Sequence, residues 1–211
     1  MTLNPTKESL DIVEKISKTV NTFHHHYHIL YDIANQYYGE ESINYIEIGA
    51  YAGGSASLMM HRKNTKIISI DIGQPIEPVN AIFNVNANNF YGNSYTYIHG
   101  DSSKQSTINQ LEELLSDAKI DILFIDGDHG YNSVIRDFNN YVDFVNDGGF
   151  IIFDDYNDNI YSPEVKLAVN DIISKLDLSK YSIIGSVENV HCASPKEMTQ
   201  NNCFILRKVF L

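Results

Sequence analysis

The sequence predicts an α/β domain built around a doubly wound, mostly parallel β-sheet. Two unbroken apolar runs, Ile122 to Ile125 and Phe150 to Phe153, are typical of strands that are buried on both faces of such a sheet. Between them, Val134 and Phe138 belong to an apolar pattern with helical spacing. Gly148 follows this pattern, and we expect it to cap the helix at its carboxyl end. The segment therefore predicts a strand, a helix and a second strand.

Acidic side chains follow both of these strands. Asp126, Asp128 and His129 come after the first strand, and Asp154 and Asp155 come after the second. Parallel strands joined by a helix have their carboxyl ends at the same edge of the sheet. Open α/β sheets bind their ligands at that edge. We therefore expect these five side chains to lie together at a binding site.

The chain before the sheet predicts two amphipathic helices, Pro5 to Val20 and Phe23 to Tyr38. The second contains consecutive histidines, His24 to His26, and then His28. Consecutive residues of a helix point in different directions and cannot converge on one metal ion. We interpret these histidines as solvated or packed side chains of a helix.

A glycine-containing turn follows the first predicted strand. Tyr45 to Gly49 is the strand, Ala50 to Ser55 is the turn, and Ser55 to Arg62 is the next helix. Such a turn lets a ligand approach the backbone and the amino end of the helix. The spacing G-x-x-x-G-G differs from the dinucleotide-binding fingerprint, which disfavours an NAD-linked oxidoreductase. The next strand, Lys66 to Asp71, ends in an acid that can accept both hydroxyls of a ribose.

The other predicted elements complete an alternating pattern. They are a helix over Val79 to Phe90, a strand over Tyr95 to His99, a helix over Ile108 to Leu115, a helix from Pro163 to Leu176, and two strands over Tyr181 to Val187 and Phe204 to Phe210. We expect the last two strands to pair as an antiparallel hairpin.

Composition excludes several classes of protein. The 211 residues suit one domain with a full core. A net charge of -12, without a basic cluster, argues against nucleic acid as a partner. No apolar run approaches the ~20 residues of a membrane span, and the amino terminus is polar, so we expect a cytoplasmic protein without a membrane partner. Cys192 and Cys203 are expected to be free thiols, although they could face each other across the hairpin.

Taken in order, these motifs resemble those of class I S-adenosylmethionine-dependent methyltransferases. Glu47 to Ser55 resembles the first motif of that family, Asp71 its ribose-binding acid, and Gly100 to Ser102 the element that borders the adenine. Ile125 to Tyr131, together with the glycines and acids of the second strand, resembles more narrowly the branch that includes macrocin-type sugar O-methyltransferases.

The resemblance implies a Rossmann-like sheet of seven strands with an antiparallel strand in the C-terminal hairpin. It implies one methyltransferase domain over 1–211, with N-terminal helices in 1–40 and the Rossmann-like core in 45–211. It also implies S-adenosylmethionine as the cofactor. The cofactor-binding residues carried over from the family are Glu47, Gly49, Ala50, Tyr51, Gly53, Ser55, Asp71, Asp101, Ser102 and Asp126.

In the same branch, acids after the fourth and fifth strands bind a divalent cation, which implies Asp126, Asp154 and Asp155 as ligands. All-oxygen ligation suits magnesium, manganese or calcium rather than zinc, and we expect magnesium. The alternative is that these acids are hydrogen-bonded without a metal.

The implied reaction is O-methylation of a hydroxyl of a small molecule, such as a sugar or a natural product. His129 is favoured as the base because an imidazole titrates near neutral pH, and Asp128 is the second candidate. The alternatives are a metal-independent methyltransferase and a non-catalytic protein that keeps the fold and binds the cofactor or a partner. The N-terminal helices have no assigned place on the sheet, so they could pair between subunits of a homo-oligomer.

Overall fold

A computed structural model describes residues 5–20, 24–73, 77–188 and 202–209. The helices are α1 (Lys7–Ser17), α2 (His28–Tyr38), α3 (Gly54–Met59), α4 (Glu77–Ala87), α5 (Gln105–Leu115), α6 (Tyr131–Tyr141) and α7 (Val165–Lys175). The strands are β1 (Ile43–Ile48), β2 (Thr65–Asp71), β3 (Ser94–His99), β4 (Ile120–Ile125), β5 (Val145–Phe153), β6 (Tyr181–Glu188) and β7 (Asn202–Lys208). Short 3₁₀ helices cover His25–Tyr27 and Val142–Phe144.

The seven strands form one sheet in the order β3-β2-β1-β4-β5-β7-β6. Strands β1 to β5 run parallel to one another, whereas β7 is antiparallel to both β5 and β6. This architecture confirms the predicted Rossmann-like fold. The order of strands reverses between β1 and β4, and such a reversal opens a crevice at the carboxyl ends of the two strands.

The central strands are buried on both faces. Along β4, Ile122 and Phe124 pack in one apolar cluster, whereas Leu123 and Ile125 pack in the other. Side chains of α1, α2 and α3 belong to the first cluster, and those of α5, α6 and α7 belong to the second. Because helices cover both faces, the strand needs apolar residues at every position, which explains its unbroken apolar run.

The N-terminal helices, to which the sequence assigned no place, pack on the sheet. Ile29, Leu30 and Ile33 of α2 are at most 1% exposed and pack in the same cluster as Phe124. Asp32 ties α2 to α1 because its carboxylate accepts hydrogen bonds from the hydroxyls of Thr6 and Ser9. Pairing of these helices between subunits remains a prediction.

Gly148 does not cap α6, so this part of the sequence interpretation is wrong. The helix ends at Tyr141, and the 3₁₀ turn that follows is closed by a bond from the amide of Val145 to the carbonyl of Val142. Strand β5 begins at Val145, so Gly148 lies inside the strand, with a φ of 82°. The turn satisfies the carbonyls at the helix end without a glycine.

The two C-terminal strands pair antiparallel, as predicted. Cys203, on β7, is free and buried, whereas Cys192 lies outside the described residues. In the described part of the chain, no helix is both long enough and apolar enough to cross a bilayer.

Candidate active site

Gly49 makes a close approach of β1 and β4 possible. Its φ is 92°, and a Cβ atom at this position would overlap the carbonyl of Asp126. The amide of Asp126 donates to the carbonyl of Ile48 at 2.8 Å, which continues the pairing of the two strands to this point. A glycine is required because any side chain would meet the backbone of the neighbouring strand.

The loop after β1 is shaped by Asp71 at the end of β2. One carboxylate oxygen accepts the amides of Ala50 and Tyr51 at 2.6 and 2.8 Å, and the other accepts the amide of Gly73 at 2.7 Å. Tyr51 has a φ of 41°, which an L-residue adopts only when its surroundings hold it there. Asp71 therefore fixes the loop and also lies at the wall of the crevice.

Glu47 lies beneath this loop. Its carboxylate is 0% exposed and accepts hydrogen bonds from the hydroxyls of Ser55 (2.5 Å), Ser69 (2.6 Å) and Tyr45 (3.0 Å). Burial raises the pKa of Glu47 to about 7. The residue joins β1, β2 and the start of α3, and its predicted contact with the cofactor remains a prediction.

A cavity of about 780 Å³ occupies the crevice between β1 and β4. This volume lies within the usual range for small-ligand sites, which is roughly 300–1,000 Å³. The loop side is lined by the predicted residues Gly49, Ala50, Tyr51, Ser55 and Asp71. The other side is lined by the predicted residues Asp101, Ser102, Asp126, Asp128 and His129. Most of the site residues proposed from the sequence therefore face one space, whereas Glu47, Gly53, Asp154 and Asp155 lie outside its lining.

Asp137 also lines this cavity, although it was not predicted as a site residue from the sequence. It lies on α6, is 3% exposed, and accepts a hydrogen bond from Ser102 at 2.6 Å. Burial raises its pKa to about 6. The available signal in the sequence was that Asp137 lies next to the apolar face of an amphipathic helix. A carboxylate buried at such a place needs a hydrogen-bond partner, which indicates a polar site nearby.

At the carboxyl ends of β4 and β5, Asp126, His129 and Asp155 form a cluster that we call the acid edge. Nε2 of His129 lies 3.4 Å from Oδ2 of Asp155 and 3.7 Å from Oδ1 of Asp126. Burial, and then the charge of Asp154, raise the pKa of Asp126 well above its usual range and that of Asp155 to about 6. Asp126 and then Asp155 raise the pKa of His129 to about 9, against the effect of burial. These carboxylates repel one another, so the acid edge favours a positive charge between them.

Asp154 does not belong to this cluster and has other partners. Its Oδ1 lies 2.7 Å from Nε2 of His26 and 3.5 Å from Sγ of Cys203. The three side chains are buried, with His26 at 0% exposure. Burial alone would raise the pKa of Asp154, but the contact with His26 outweighs it and lowers that pKa.

The 3₁₀ helix before α2 thus contributes to the site, which the sequence analysis did not foresee. The hydroxyl of Tyr27 donates to Oδ2 of Asp126 at 3.2 Å, and His24 lines the cavity. His26 is packed and not solvated. His28 does not contact Asp154 as His26 does, because it pairs with Asp32 on the same helix. The histidines do point in different directions, as expected, but their spacing along the chain gave no indication that His26 meets an acid on β5.

A family model described as a methyltransferase domain matches residues 46–156, which run from β1 past the end of β5. The chain belongs to the methyltransferase-domain family. A relative from Acanthamoeba polyphaga mimivirus, an uncharacterized protein, is 41% identical over 202 residues, and the match covers 89% of each chain.

Solved structures show that this methyltransferase has the class I fold. An O-methyltransferase from Bacillus cereus, solved with S-adenosylhomocysteine, has a TM-score of 0.66 at 15% identity, with 98% of this chain and 92% of that chain covered. An N-methyltransferase from Bradyrhizobium japonicum has a TM-score of 0.60 at 14% identity, with 88% and 95% covered. At these identities the likeness concerns the fold.

The residues of this methyltransferase form two neighbouring parts of one crevice. The loop after β1, with Asp71, offers backbone amides and a carboxylate at a place where only a glycine fits. The acid edge offers carboxylate oxygens and an imidazole nitrogen as possible metal ligands. The cavity lies between them, so a ligand bound at the loop would extend toward the acid edge.

Proposed function

We propose that this protein is an S-adenosylmethionine-dependent methyltransferase that methylates a hydroxyl of a small molecule with the help of a divalent cation. The observation that carries the proposal is a cavity whose lining includes the glycine loop, Asp71, and Asp126 and His129 of the acid edge. Membership of the methyltransferase-domain family supports methyl transfer. The Bacillus cereus protein with a similar fold is an O-methyltransferase whose structure contains S-adenosylhomocysteine.

The residues present fit the cofactor. Asp71 lies at the wall, and three backbone amides fill three of the roughly four acceptor sites of its carboxylate, so one site on Oδ1 is left for a ribose hydroxyl. Asp101 and Ser102 line the far side, where the sequence resemblance implies an adenine. When bound, the cofactor supplies an electrophilic methyl group, so that a substrate oxygen gains the O–CH₃ bond as the S–CH₃ bond breaks.

The acid edge fits a divalent cation. Two mutually repelling carboxylates and a ring nitrogen lie within 4.8 Å of one another. Asp126, Asp154 and Asp155 are the ligands that the sequence predicts, and in the protein Asp126 and Asp155 belong to this cluster while Asp154 contacts His26. A cation at this place would lower the pKa of a substrate hydroxyl, as it does for water.

A proton acceptor must also face the hydroxyl. Asp128 is exposed at the cavity wall, and its Oδ2 accepts a hydrogen bond from Ser133 at 2.5 Å. Both ring nitrogens of His129 already face other groups: Nε2 lies 3.4 Å from Oδ2 of Asp155, and Nδ1 lies 2.9 Å from Oγ of Ser162. Of the two candidates from the sequence, we therefore favour Asp128 as the proton acceptor.

Calorimetric titration of S-adenosylhomocysteine into the metal-stripped chain tests the proposal. We expect micromolar binding that Asp71→Asn weakens by roughly 10–100-fold, because a charge-assisted hydrogen bond contributes about 1.5–3 kcal/mol. Asp177→Asn, a change between α7 and β6 and away from the cavity, is the matched control and should bind like the wild type. Wild-type protein that is folded and binds no S-adenosylhomocysteine would overturn the proposal.

A further inference from the structure

The orientation of the His129 ring is fixed by Ser162. Oγ of Ser162 lies 2.9 Å from Nδ1 of His129 and donates its hydrogen to Oδ2 of Asp155, also at 2.9 Å. A hydroxyl has one hydrogen, so Nδ1 must carry its own proton and donate it to Ser162. This bond holds the ring with Nε2 close to the two carboxylates. Histidines that bind metals are typically oriented by such a bond from the other ring nitrogen.

Nε2 of His129 makes no hydrogen bond to any described residue, although the atom is buried. Its distances to the oxygens of Asp155 and Asp126 are 3.4 and 3.7 Å. Donor atoms that share a cation with bonds of about 2.0–2.2 Å are roughly 3.0–3.6 Å apart, depending on the coordination geometry. The distance to Asp155 falls within this range and the distance to Asp126 lies just above it, and all three donor atoms lie within 4.8 Å of one another.

Asp154 has a different environment. Its Oδ1 already has a short contact, 2.7 Å, with Nε2 of His26, and the pair is sealed from solvent. His26 compensates the charge of Asp154, so this carboxylate does not need a cation. The other ring nitrogen of His26, Nδ1, has no hydrogen-bond partner among the described residues, so this ring lacks the orienting bond that His129 has.

We propose that the divalent cation is bound by Nε2 of His129 together with the carboxylates of Asp126 and Asp155, and that His26 keeps Asp154 out of the coordination sphere. The proposal rests on the proposed function, since the cation would lie at the cavity wall where the substrate hydroxyl is expected. It differs from the all-oxygen set implied by sequence resemblance, because an imidazole takes the place of one carboxylate.

The mixed set has two chemical consequences. An imidazole nitrogen favours first-row transition metals, so Mn²⁺ should bind at least about tenfold more tightly than Mg²⁺. A coordinated Nε2 has no lone pair left to accept a proton, so His129 is a ligand and not the base.

The test is Mn²⁺ binding to the metal-stripped full chain, followed by pulsed electron paramagnetic resonance of the bound ion. A directly coordinated imidazole nitrogen modulates the electron spin echo of Mn²⁺, whereas an all-oxygen site does not. We expect one bound ion with nitrogen modulation in the wild type and in Asp154→Asn. We expect His129→Ala to lose the modulation and to weaken binding at least about tenfold.

Three outcomes would overturn the proposal: bound Mn²⁺ without nitrogen modulation, modulation that persists in folded His129→Ala, and no Mn²⁺ binding to folded wild type. The first outcome needs no variant, so the test holds even if His129→Ala does not fold. Calorimetry with S-adenosylhomocysteine on the same samples separates the two proposals. Cofactor binding without the nitrogen signal rejects only the ligand set, whereas loss of cofactor binding rejects the proposed function.

Discussion

Nε2 of His26 lies 2.7 Å from Oδ1 of Asp154, and neither side chain is more than 3% exposed. One residue precedes α2 and the other follows β5, so the contact fastens the N-terminal segment to the carboxyl edge of the sheet. Asp154 keeps its ionised form there because His26 lowers its pKa. The N-terminal helices are thus an integral part of the candidate site.

Replacing His26 by Ala should destabilise the protein strongly. Removing one partner of a buried ion pair leaves the other charge uncompensated, which typically costs about 3–5 kcal/mol. His26→Gln should cost less because its amide can still donate to Asp154. Urea unfolding at pH 7 measures both free energies. Equal stabilities of the wild type and His26→Ala would show that the pair contributes nothing.

Gly49→Ala should also destabilise the protein. A methyl group would overlap the carbonyl of Asp126, so β1 and β4 would have to separate at the site. Gly92→Ala is a matched control, because Gly92 also has a positive φ, 69°, but has no atom within 4 Å of the added Cβ. We expect Gly92→Ala to lower the free energy of unfolding by about 1–2 kcal/mol, because of backbone strain alone. Gly49→Ala should lower it clearly more. Thermal or urea unfolding gives the comparison, and similar losses would contradict the close approach.

Glu47→Gln should change how stability depends on pH. The pKa of Glu47 rises from 4.5 to about 7 on folding, so between these values the folded protein binds more protons than the unfolded chain. Stability from this group therefore falls as pH rises, by a total of about 3 kcal/mol above pH 7. Glu47→Gln removes this loss, so its stability relative to the wild type should increase from pH 4.5 to pH 8.

Urea unfolding at both pH values measures the effect of Glu47→Gln. Glu14→Gln is the control, because Lys18 lowers the pKa of this exposed carboxylate and the pH effect then has the opposite sign. A Glu47→Gln difference that is independent of pH would show that Glu47 is ionised in the folded protein throughout this range.

Ser162→Ala should weaken Mn²⁺ binding by roughly 10–100-fold, the usual effect of removing a residue that orients a metal ligand. Ser162 contacts both His129 and Asp155, whereas the glycine loop is held by Asp71 through the amides of Ala50 and Tyr51. Affinity for S-adenosylhomocysteine should therefore be unchanged. Ser179→Ala, an exposed change before β6, is the control. Loss of cofactor affinity in Ser162→Ala would indicate a wider disturbance of the fold.

Much of the site could be predicted because it depends on local patterns. The apolar runs of β4 and β5 end at Asp126 and Asp154, and the fixed geometry of a parallel unit brings both strand ends to one edge. Gly49 follows β1, and Asp71 is the last residue of β2. The place of Gly148 was misjudged because the 3₁₀ turn that ends α6 leaves no separate signal in the sequence.

The sequence by itself determined the order of elements, the parallel sheet and the edge at which the acids gather, since hydrophobic periodicity and chain connectivity suffice for these. Only the tertiary structure decided which acid meets which partner. His26 and Asp154 are 128 positions apart, and His129 and Ser162 are 33 apart. Such pairs depend on side-chain directions after the helices have packed on the sheet, and no local pattern encodes those directions.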